Sequence, residues 1–294
     1  MHKLRVGVAQ INPKFGDLDR NAEKHIEYIR EAKKEKVDVL LFPELSLSGY
    51  NLKQKALGVA IDYNDKRLIE IANESEKMIS VVGFIELGFA AQIHNTAVAL
   101  RHGYPAYIHR KLNLPNYGLL DEGKTYTAGR HLETFSIQPP WHTSVLICSD
   151  VWNPALVHLS VVSGATILMI PTNSAQFTVS TDFSNPDSWY MILEFYSMIY
   201  GIPIIMANRV GKEGGYEFWG GSKIISPPGG KVDMVASEND EDLLISDLMY
   251  MDVVRARAKL PTVRDSNLDL VQREINRLAD SIGYPNVFRR DTLK

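Results

Sequence analysis

The chain has 294 residues, of which 45% are hydrophobic and 23% are charged, as in ordinary soluble globular proteins. Its formal net charge of -3 at pH 7 shows no excess of basic residues, so nucleic acid is not an expected partner. The single cysteine excludes an internal disulfide and suits a reducing compartment. The residues after Met1 lack the apolar core of a signal peptide, and no apolar run approaches the ~20 residues of a membrane helix. We therefore expect a cytoplasmic protein that does not bind membranes.

Strands and helices alternate in the first half of the sequence. Apolar alternation and apolar runs predict strands over residues 4–11, 37–42, 79–87 and 95–101, with a further hairpin strand ending at 110–111. Apolar residues at helical spacing predict one helix from Asp17 or Asp19 to about Lys36 and another over residues 65–77. Residues 112–129 are polar and nearly aperiodic, and so long a loop inside a compact domain is usually functional.

The second half continues the pattern. Strands are predicted over residues 133–137, 143–148, 165–170, 202–208, 217–226, 232–236 and 243–248, helices over 154–163 and 187–200, and a turn over 211–215. A charged amphipathic helix and an irregular end follow Asp265. Alternation mixed with hairpins, without a linker or repeat, predicts a single α/β domain over residues 1–294 with more than one sheet. Its core would cover about 3–250, and its C-terminal helix and tail about 251–294.

The only cysteine, Cys148, ends one of the predicted strands. Ser149 and Asp150 follow it, and a helical pattern opens at Trp152. A thiol at a sharp turn between a strand and a helix N-terminus is typical of an activated nucleophile, because the helix end favours the thiolate. The alternative is structural, since a free cysteine often acts as a small buried hydrophobe.

Polar residues that a core does not need follow several predicted strands. Glu44, Cys148 and the pair Asn173-Ser174 end buried-looking strands, and Lys111 ends a hairpin strand. Ligands bind outside the carboxyl ends of strands in α/β sheets. There a carboxylate can act as a general base, a cation can stabilise an oxyanion, and a thiolate can attack a substrate. Taken singly, these residues are also explained as a cap, a solvated surface charge and common loop formers.

Three segments, in this order, resemble the nitrilase superfamily of carbon–nitrogen hydrolases. They are Phe42-Pro43-Glu44-Leu45 with Ser48-Gly49-Tyr50, Arg110-Lys111-Leu112-Asn113-Leu114-Pro115-Asn116-Tyr117, and Leu146-Ile147-Cys148-Ser149-Asp150-Val151-Trp152. Two more segments support the resemblance: Asp121-Glu122 with Gly129, and the run from Phe218 to Gly230. The resemblance extends from about Lys3 to about Leu248.

Within that superfamily the sequence is most similar to the glutaminase domain of glutamine-dependent NAD synthetases. The likeness rests on the segment from Lys111 to Tyr117 followed by Asp121-Glu122. Ser149 replaces the glutamate that is typical of that branch after the cysteine. The sequence stops before a synthetase domain could begin and has no Gly-rich phosphate loop. We therefore expect an amidohydrolase that acts alone.

The resemblance implies a four-layer α-β-β-α sandwich, with two mixed β-sheets face to face and helices outside. It also implies that Glu44 is the general base, Lys111 the catalytic lysine, Cys148 the nucleophile and Glu122 a residue that positions substrate and lysine. Members usually form homodimers or larger assemblies through the helices near Cys148 and after Asn173. No cofactor and no metal are implied, since the eight histidines are scattered without ligand spacing.

We expect a hydrolase that cleaves a small non-peptide amide through a cysteine thioester and releases ammonia. The residues expected to bind the substrate are Glu122, Tyr50, Tyr117, Ser149, Trp152 and Asn173. Alternatives are an N-carbamoyl amidohydrolase, a transferase in which an amine takes the thioester, and a weakly catalytic binding or scaffold protein of the same fold. A nitrile is a less favoured substrate than an amide.

Overall fold

Two six-stranded sheets form the centre of the molecule, for which the computed structural model describes residues 2–280. The strands are β1 (Lys3–Gln10), β2 (Val39–Leu41), β3 (Ile79–Leu87), β4 (Ile93–Arg101), β5 (Tyr104–Arg110), β6 (Phe135–Gln138), β7 (Trp141–Val145), β8 (Ile167–Thr172), β9 (Ile204–Asn208), β10 (Val210–Glu213), β11 (Tyr216–Trp219), β12 (Lys223–Ile225), β13 (Asp233–Val235) and β14 (Asp242–Met249). The helices are α1 (Leu18–Lys34), α2 (Lys66–Ser75), α3 (Pro154–Val162), α4 (Asn185–Tyr200), α5 (Tyr250–Lys259) and α6 (Leu268–Ala279).

Both sheets are mixed. The first has the order β14-β1-β2-β3-β4-β5, in which β1, β2 and β3 run parallel and the other neighbours antiparallel. The second has the order β13-β12-β9-β8-β7-β6, in which β7, β8 and β9 run parallel. The hairpin of β10 and β11 stands apart from both sheets. In each sheet the parallel strands are central and are connected through helices, because parallel neighbours need a long crossover connection.

The main core lies between the two sheets. Leu4 and Val6 of β1 pack there with Trp141 and Val145 of β7, and all four are buried. Alternate residues of β1 reach this core because successive side chains of a strand point to opposite faces. Burial on both faces explains why β2 and β8 are continuous apolar runs and not alternating ones.

Helices cover the outer face of each sheet. Ile29 of α1 and Ile71 of α2 pack against the first sheet, in one cluster with Leu40. On the second sheet, Val157 of α3 and Leu193 of α4 join a separate cluster. The layers are therefore helix, sheet, sheet and helix, which confirms the predicted α-β-β-α sandwich with two mixed sheets.

Local signals place the first two helices. Asp17 caps α1 by accepting a hydrogen bond from the Arg20 backbone N–H, and Asp65 caps α2 in the same way. The predicted end of α1 at about Lys36 is two residues too long, since Lys36 has a φ of 57° that a helix cannot continue.

The predictions after residue 209 need three corrections. The single strand expected over 217–226 is two strands, β11 and β12, because Gly220 and Gly221 between them both have a φ of 60°. Most of the turn expected over 211–215 belongs to β10, and only Gly214-Gly215 forms the turn. The single helix expected in the C-terminal region after about residue 250 is two helices, α5 and α6.

The C-terminal part agrees with the predicted amphipathic helix, which is α6, whereas the irregular end, residues 281–294, lies outside the described residues. The single domain over 1–294 stays a prediction. Within residues 2–280, none of the helices has the length and apolar character that a membrane crossing requires.

Candidate active site

The predicted site residues lie where strands of the two sheets end on the same side of the sandwich. Glu44 lies just after β2 and Lys111 directly after β5, both in the first sheet. Cys148 and Asn173 follow β7 and β8 of the second sheet. The Lys111 ammonium lies 2.6 Å from Glu44 Oε1, and Asn173 Nδ2 donates to the backbone oxygen of Glu44. The two sheets thus bring together residues that are far apart in the sequence.

A glycine in β3 makes room for the turn that carries Glu44. A Cβ atom at Gly83 would lie 2.3 Å from the Leu45 nitrogen and 2.7 Å from the Pro43 oxygen, distances that no real Cβ contact shows. Leu45 itself has a φ of 47°, so the turn is tight. Close packing of this turn against β3 is what directs Glu44 toward Lys111.

Lys111 is completely buried between two carboxylates. Its Nζ atom donates to Glu44 Oε1 at 2.6 Å and to Glu122 Oε1 at 2.8 Å, and its side chain has 0% exposure. Burial alone would lower the pKa of this ammonium, but the charges of Glu122 and Glu44 outweigh it and raise the pKa well above its usual value. Lys111 is therefore a permanent cation at the floor of the site.

Glu122 lies on the opposite side of Lys111 from Glu44. Its Oε1 atom also accepts a hydrogen bond of 2.7 Å from the Tyr50 hydroxyl. Burial is the main cause that raises the pKa of Glu122 to about 7, and the Glu44 charge adds to it while Lys111 opposes it. Burial likewise raises the pKa of Tyr50, reinforced by the neighbouring Glu122 charge. Near neutral pH, neither the protonated nor the ionised form of Glu122 is thus strongly favoured.

The two oxygens of Glu44 have different surroundings. Oε1 accepts hydrogen bonds from Lys111 and, at 2.7 Å, from Asn95 Nδ2. Oε2 is buried and has no hydrogen-bond partner among residues 2–280. A buried acceptor without a partner is costly, and such atoms often serve a reaction. Oε2 is the oxygen of Glu44 that is available to receive a proton.

Cys148 begins a short 3₁₀ turn, Cys148–Trp152, with a φ of 45°. Asp150, which is fully buried, holds this turn: its Oδ2 accepts from the Ile147 backbone N–H, and its Oδ1 accepts from the backbone N–H groups of Leu112 at 2.9 Å and Asn113 at 2.7 Å. The cysteine turn is thereby tied to the segment that follows Lys111. Sequence reasoning gave Asp150 no role, although a carboxylate inside an apolar motif was a signal.

The surroundings of the Cys148 thiol favour its protonated form. Burial, followed by the negative charge of Glu44, raises its pKa well above the usual value, and the Lys111 charge offsets only part of this. The expectation that a helix N-terminus favours the thiolate was therefore wrong. The turn after Cys148 is a five-residue 3₁₀ segment with little dipole, and desolvation of the thiolate outweighs it.

A cavity of about 360 Å³ opens above the thiol. All six residues predicted to bind substrate line it, namely Glu122, Tyr50, Tyr117, Ser149, Trp152 and Asn173. The hydroxyl of Ser149 donates to the Asn113 carbonyl, so this side chain helps to hold the cysteine turn. Residues that the sequence did not single out complete the wall, among them Pro115, Leu120, Thr178, Val179, Phe183, Asn185 and Trp189.

Comparison with known protein families identifies the chain. Residues 5–258 match the family model described as carbon-nitrogen hydrolase. The protein belongs to the carbon–nitrogen hydrolase family. The predicted membership of the nitrilase superfamily is thus confirmed, and the family match includes every residue that lines the cavity.

Relatives of two kinds share this family. The glutamine-dependent NAD(+) synthetase of Acinetobacter baylyi is 28% identical over 248 residues, which are 84% of this chain and 44% of that protein. The chain therefore spans less than half the length of this relative. A protein of Staphylococcus aureus described as a hydrolase in the agr operon is 27% identical over 276 residues, 91% of this chain and 99% of that one.

A solved structure agrees with the observed architecture. An amidase of the nitrilase superfamily from Nesterenkonia AN1 superposes with a TM-score of 0.75 at 22% identity, over 92% of this chain and 96% of the amidase. At this identity the likeness concerns the fold. The carbon–nitrogen hydrolase described here therefore has the nitrilase-like sandwich.

Proposed function

We propose that this carbon–nitrogen hydrolase cleaves a small non-peptide amide through a thioester on Cys148 and releases ammonia. One observation carries the proposal: the buried Lys111 ammonium lies within 2.8 Å of both Glu44 and Glu122, beside the cavity that holds the only cysteine. Burying three charges costs several kcal/mol per ion even after relaxation, which a binding surface does not require. A reaction that moves a proton and creates an oxyanion does require them.

The proposed acylation step uses Glu44, Lys111 and Cys148. Oε2 of Glu44 takes the thiol proton as Sγ attacks the amide carbon. The carbonyl oxygen becomes an oxyanion, stabilised by the Lys111 ammonium and by a backbone N–H near Ser149. The C–N bond breaks, and Glu44 returns its proton to the leaving ammonia.

Deacylation repeats these steps with water. Glu44 takes a proton from a water molecule as the water oxygen attacks the thioester carbon, and Lys111 again stabilises the oxyanion. The C–S bond breaks, Cys148 recovers a proton from Glu44, and the carboxylic acid leaves. The products are one acid and one ammonia per amide and water consumed.

We also propose that the protein forms a homodimer or a larger assembly through α3 and α4. Leu159 of α3 and Met191, Phe195 and Met198 of α4 are between 47% and 70% exposed, which leaves an apolar surface on the outer helical layer. Light scattering after gel filtration measures this directly. A dimer that becomes a monomer in Phe195→Glu supports the proposal, and a monomeric wild type contradicts it.

Ammonia release from a panel of amides, N-carbamoyl compounds and nitriles tests the activity, with Cys148→Ala as the blank. Release by the wild type alone supports a thiol hydrolase. Added hydroxylamine should divert the thioester to a hydroxamate and so identify the covalent step. A folded wild type that releases no ammonia and leaves Cys148 unreactive toward iodoacetamide would contradict the proposal and favour a binding or scaffold role.

A further inference from the structure

The wall of the cavity above Cys148 is apolar and aromatic. Its large side chains are Tyr117, Leu120, Trp152, Val179, Phe183 and Trp189. The Trp152 ring packs edge-on against Trp189, with centroids 5.4 Å apart, and lies 6.0 Å from Phe183. Such a wall favours binding of a ligand whose apolar groups it removes from water, and it makes few favourable contacts with a charged group.

The cavity has no cation available for an anionic ligand. Among the described residues, no lysine, arginine or histidine lines it, and Glu122 is its only carboxylate. Lys111, beneath the floor, already lies 2.6 Å from Glu44 and 2.8 Å from Glu122. Two carboxylates therefore already surround this single ammonium, which leaves it little attraction for a second anion.

The polar atoms of the wall favour hydrogen-bond donors. Asn173 and Asn185 are each 4% exposed, and in both the Oδ1 atom has no partner among the residues that the structure describes. Asn185 donates both of its amide hydrogens, to the Ala175 carbonyl and the Thr178 hydroxyl, and Asn173 donates one, to the Glu44 carbonyl. An amide NH₂ can donate to a free Oδ1, whereas a carboxylate cannot.

We propose that the substrate is an uncharged primary amide whose acyl carbon bears an apolar group, an aryl or branched alkyl chain. This inference rests on the proposed function and narrows its substrate class. Glutamine and N-carbamoyl amino acids, which carry a carboxylate, are then poor substrates. The acyl group lies against the aromatic wall, and the NH₂ group faces the polar atoms near Glu44.

Matched amides test the charge requirement directly. We would measure kcat/KM for phenylacetamide, succinamate, the methyl ester of succinamate, and glutamine by ammonia release. Methyl succinamate keeps the chain of succinamate and replaces its carboxylate by an uncharged ester one methyl group longer, so the pair tests charge at nearly constant length. On binding, the carboxylate would lose hydrogen bonds to water that the apolar wall does not replace, and one hydrogen bond to a charged group contributes about 1.5–3 kcal/mol. We therefore expect kcat/KM of the neutral ester to exceed that of the anion by roughly 10–100-fold. Equal values, or a preference for glutamine, would overturn the inference.

Alkylation of Cys148 tests the cavity without turnover. Iodoacetamide and iodoacetate have the same shape and differ in charge, and the single cysteine makes the site of labelling unambiguous. After normalisation to a small free thiol, we expect iodoacetamide to react at least about tenfold faster. If no amide is hydrolysed but Cys148 strongly prefers iodoacetamide, the proposed function is refuted and the inference about charge stands. No preference would refute the inference even if amides are hydrolysed.

A neighbouring pair of leucines provides a gain-of-function test. Leu120 lines the cavity, whereas Leu119 is 63% exposed and is not part of its wall. Leu120→Arg should supply the missing cation and raise the ratio of succinamate to phenylacetamide turnover by about tenfold or more. Leu119→Arg is the matched control and should leave the ratio unchanged. The same ratio in both variants would argue against the inference.

Discussion

The side-chain amide of Asn173 donates a hydrogen bond of 2.6 Å to the backbone oxygen of Glu44. Asn173 follows β8 in the second sheet and Glu44 follows β2 in the first, so this bond ties the two sheets together at the site. The carboxylate beside Lys111 and the thiol after β7 are thereby held in one rigid frame. Preorganised groups of this kind lower a barrier because they need not move as charge develops.

Replacing Lys111 should impair both activity and stability. Lys111→Met leaves Glu44 and Glu122 buried without their cation, and breaking a buried ion pair costs about 3–5 kcal/mol. Loss of an oxyanion donor should lower kcat by about 10²–10³ or more. Urea unfolding and ammonia release measure the two effects. The double variant Lys111→Met/Glu122→Gln should recover part of the stability and none of the activity. Recovery of both would rule out a catalytic role for the lysine.

Glu44→Gln distinguishes a general base from a simple neighbouring charge. The negative charge of Glu44 raises the pKa of the Cys148 thiol. If Glu44 acted only as a neighbouring charge, the substitution would lower that pKa and speed alkylation at neutral pH. If Glu44 removes the proton, alkylation by iodoacetamide should instead slow by about 10²–10⁴. The rate of iodoacetamide labelling of the single cysteine at pH 7, compared between wild type and Glu44→Gln, shows whether alkylation slows or speeds up. Faster labelling would contradict the proposed role of Glu44.

Glu122 should make the protein less stable as the pH rises from about 4.5 to about 7. In this window the folded state keeps a proton on Glu122 that the unfolded state has lost, because the folded pKa is about 7. At 1.36 kcal/mol per pH unit, the free energy of unfolding should fall by about 3 kcal/mol. The difference between wild type and Glu122→Gln in urea titrations isolates this change. A flat difference curve would show that Glu122 is ionised throughout.

The buried Arg209–Glu213 ion pair should contribute far more to stability and kcat than the exposed Lys212–Glu217 pair nearby. Glu213 Oε2 lies 2.6 Å from Arg209, while Oε1 accepts from the backbone N–H groups of Tyr50 and Asn51. Both side chains are at most 4% exposed, so Glu213→Ala should cost about 3–5 kcal/mol and displace Tyr50 from Glu122. Thermal unfolding and kcat report the two effects.

The pair Lys212–Glu217 on the same hairpin is the matched control. Its side chains are 76% and 57% exposed, so Glu217→Ala should change stability and kcat little. Equal losses in Glu213→Ala and Glu217→Ala would contradict the positioning role of Glu213.

Gly83→Ala should damage the Glu44 turn, whereas Gly58→Ala should not. The added methyl group at position 83 would overlap the Leu45 nitrogen, while at position 58 no atom lies within 4 Å. Forced shifts in a packed core cost about 1–3 kcal/mol or more. We expect a lower melting temperature and reduced kcat only in Gly83→Ala. An unchanged kcat in that variant would mean that the turn tolerates displacement.

Much of the fold and the candidate site residues could be predicted from the sequence, because their signals are local. Apolar periodicity and Asp17 marked the first strand and helix, and polar residues after apolar runs marked Glu44, Cys148 and Asn173. Spacing could not reveal the break between β11 and β12, since paired glycines permit a turn without requiring one.

The sequence by itself determined the family, the layered architecture and the order of the candidate site residues along the chain. Tertiary structure alone decided that Lys111 lies between Glu44 and Glu122, that Asp150 holds the cysteine turn, and that Phe183 joins the cavity wall. Tertiary structure also decided that the pKa of the Cys148 thiol is raised. These properties depend on burial and on charges contributed by distant strands, and desolvation acts only once the two sheets have packed.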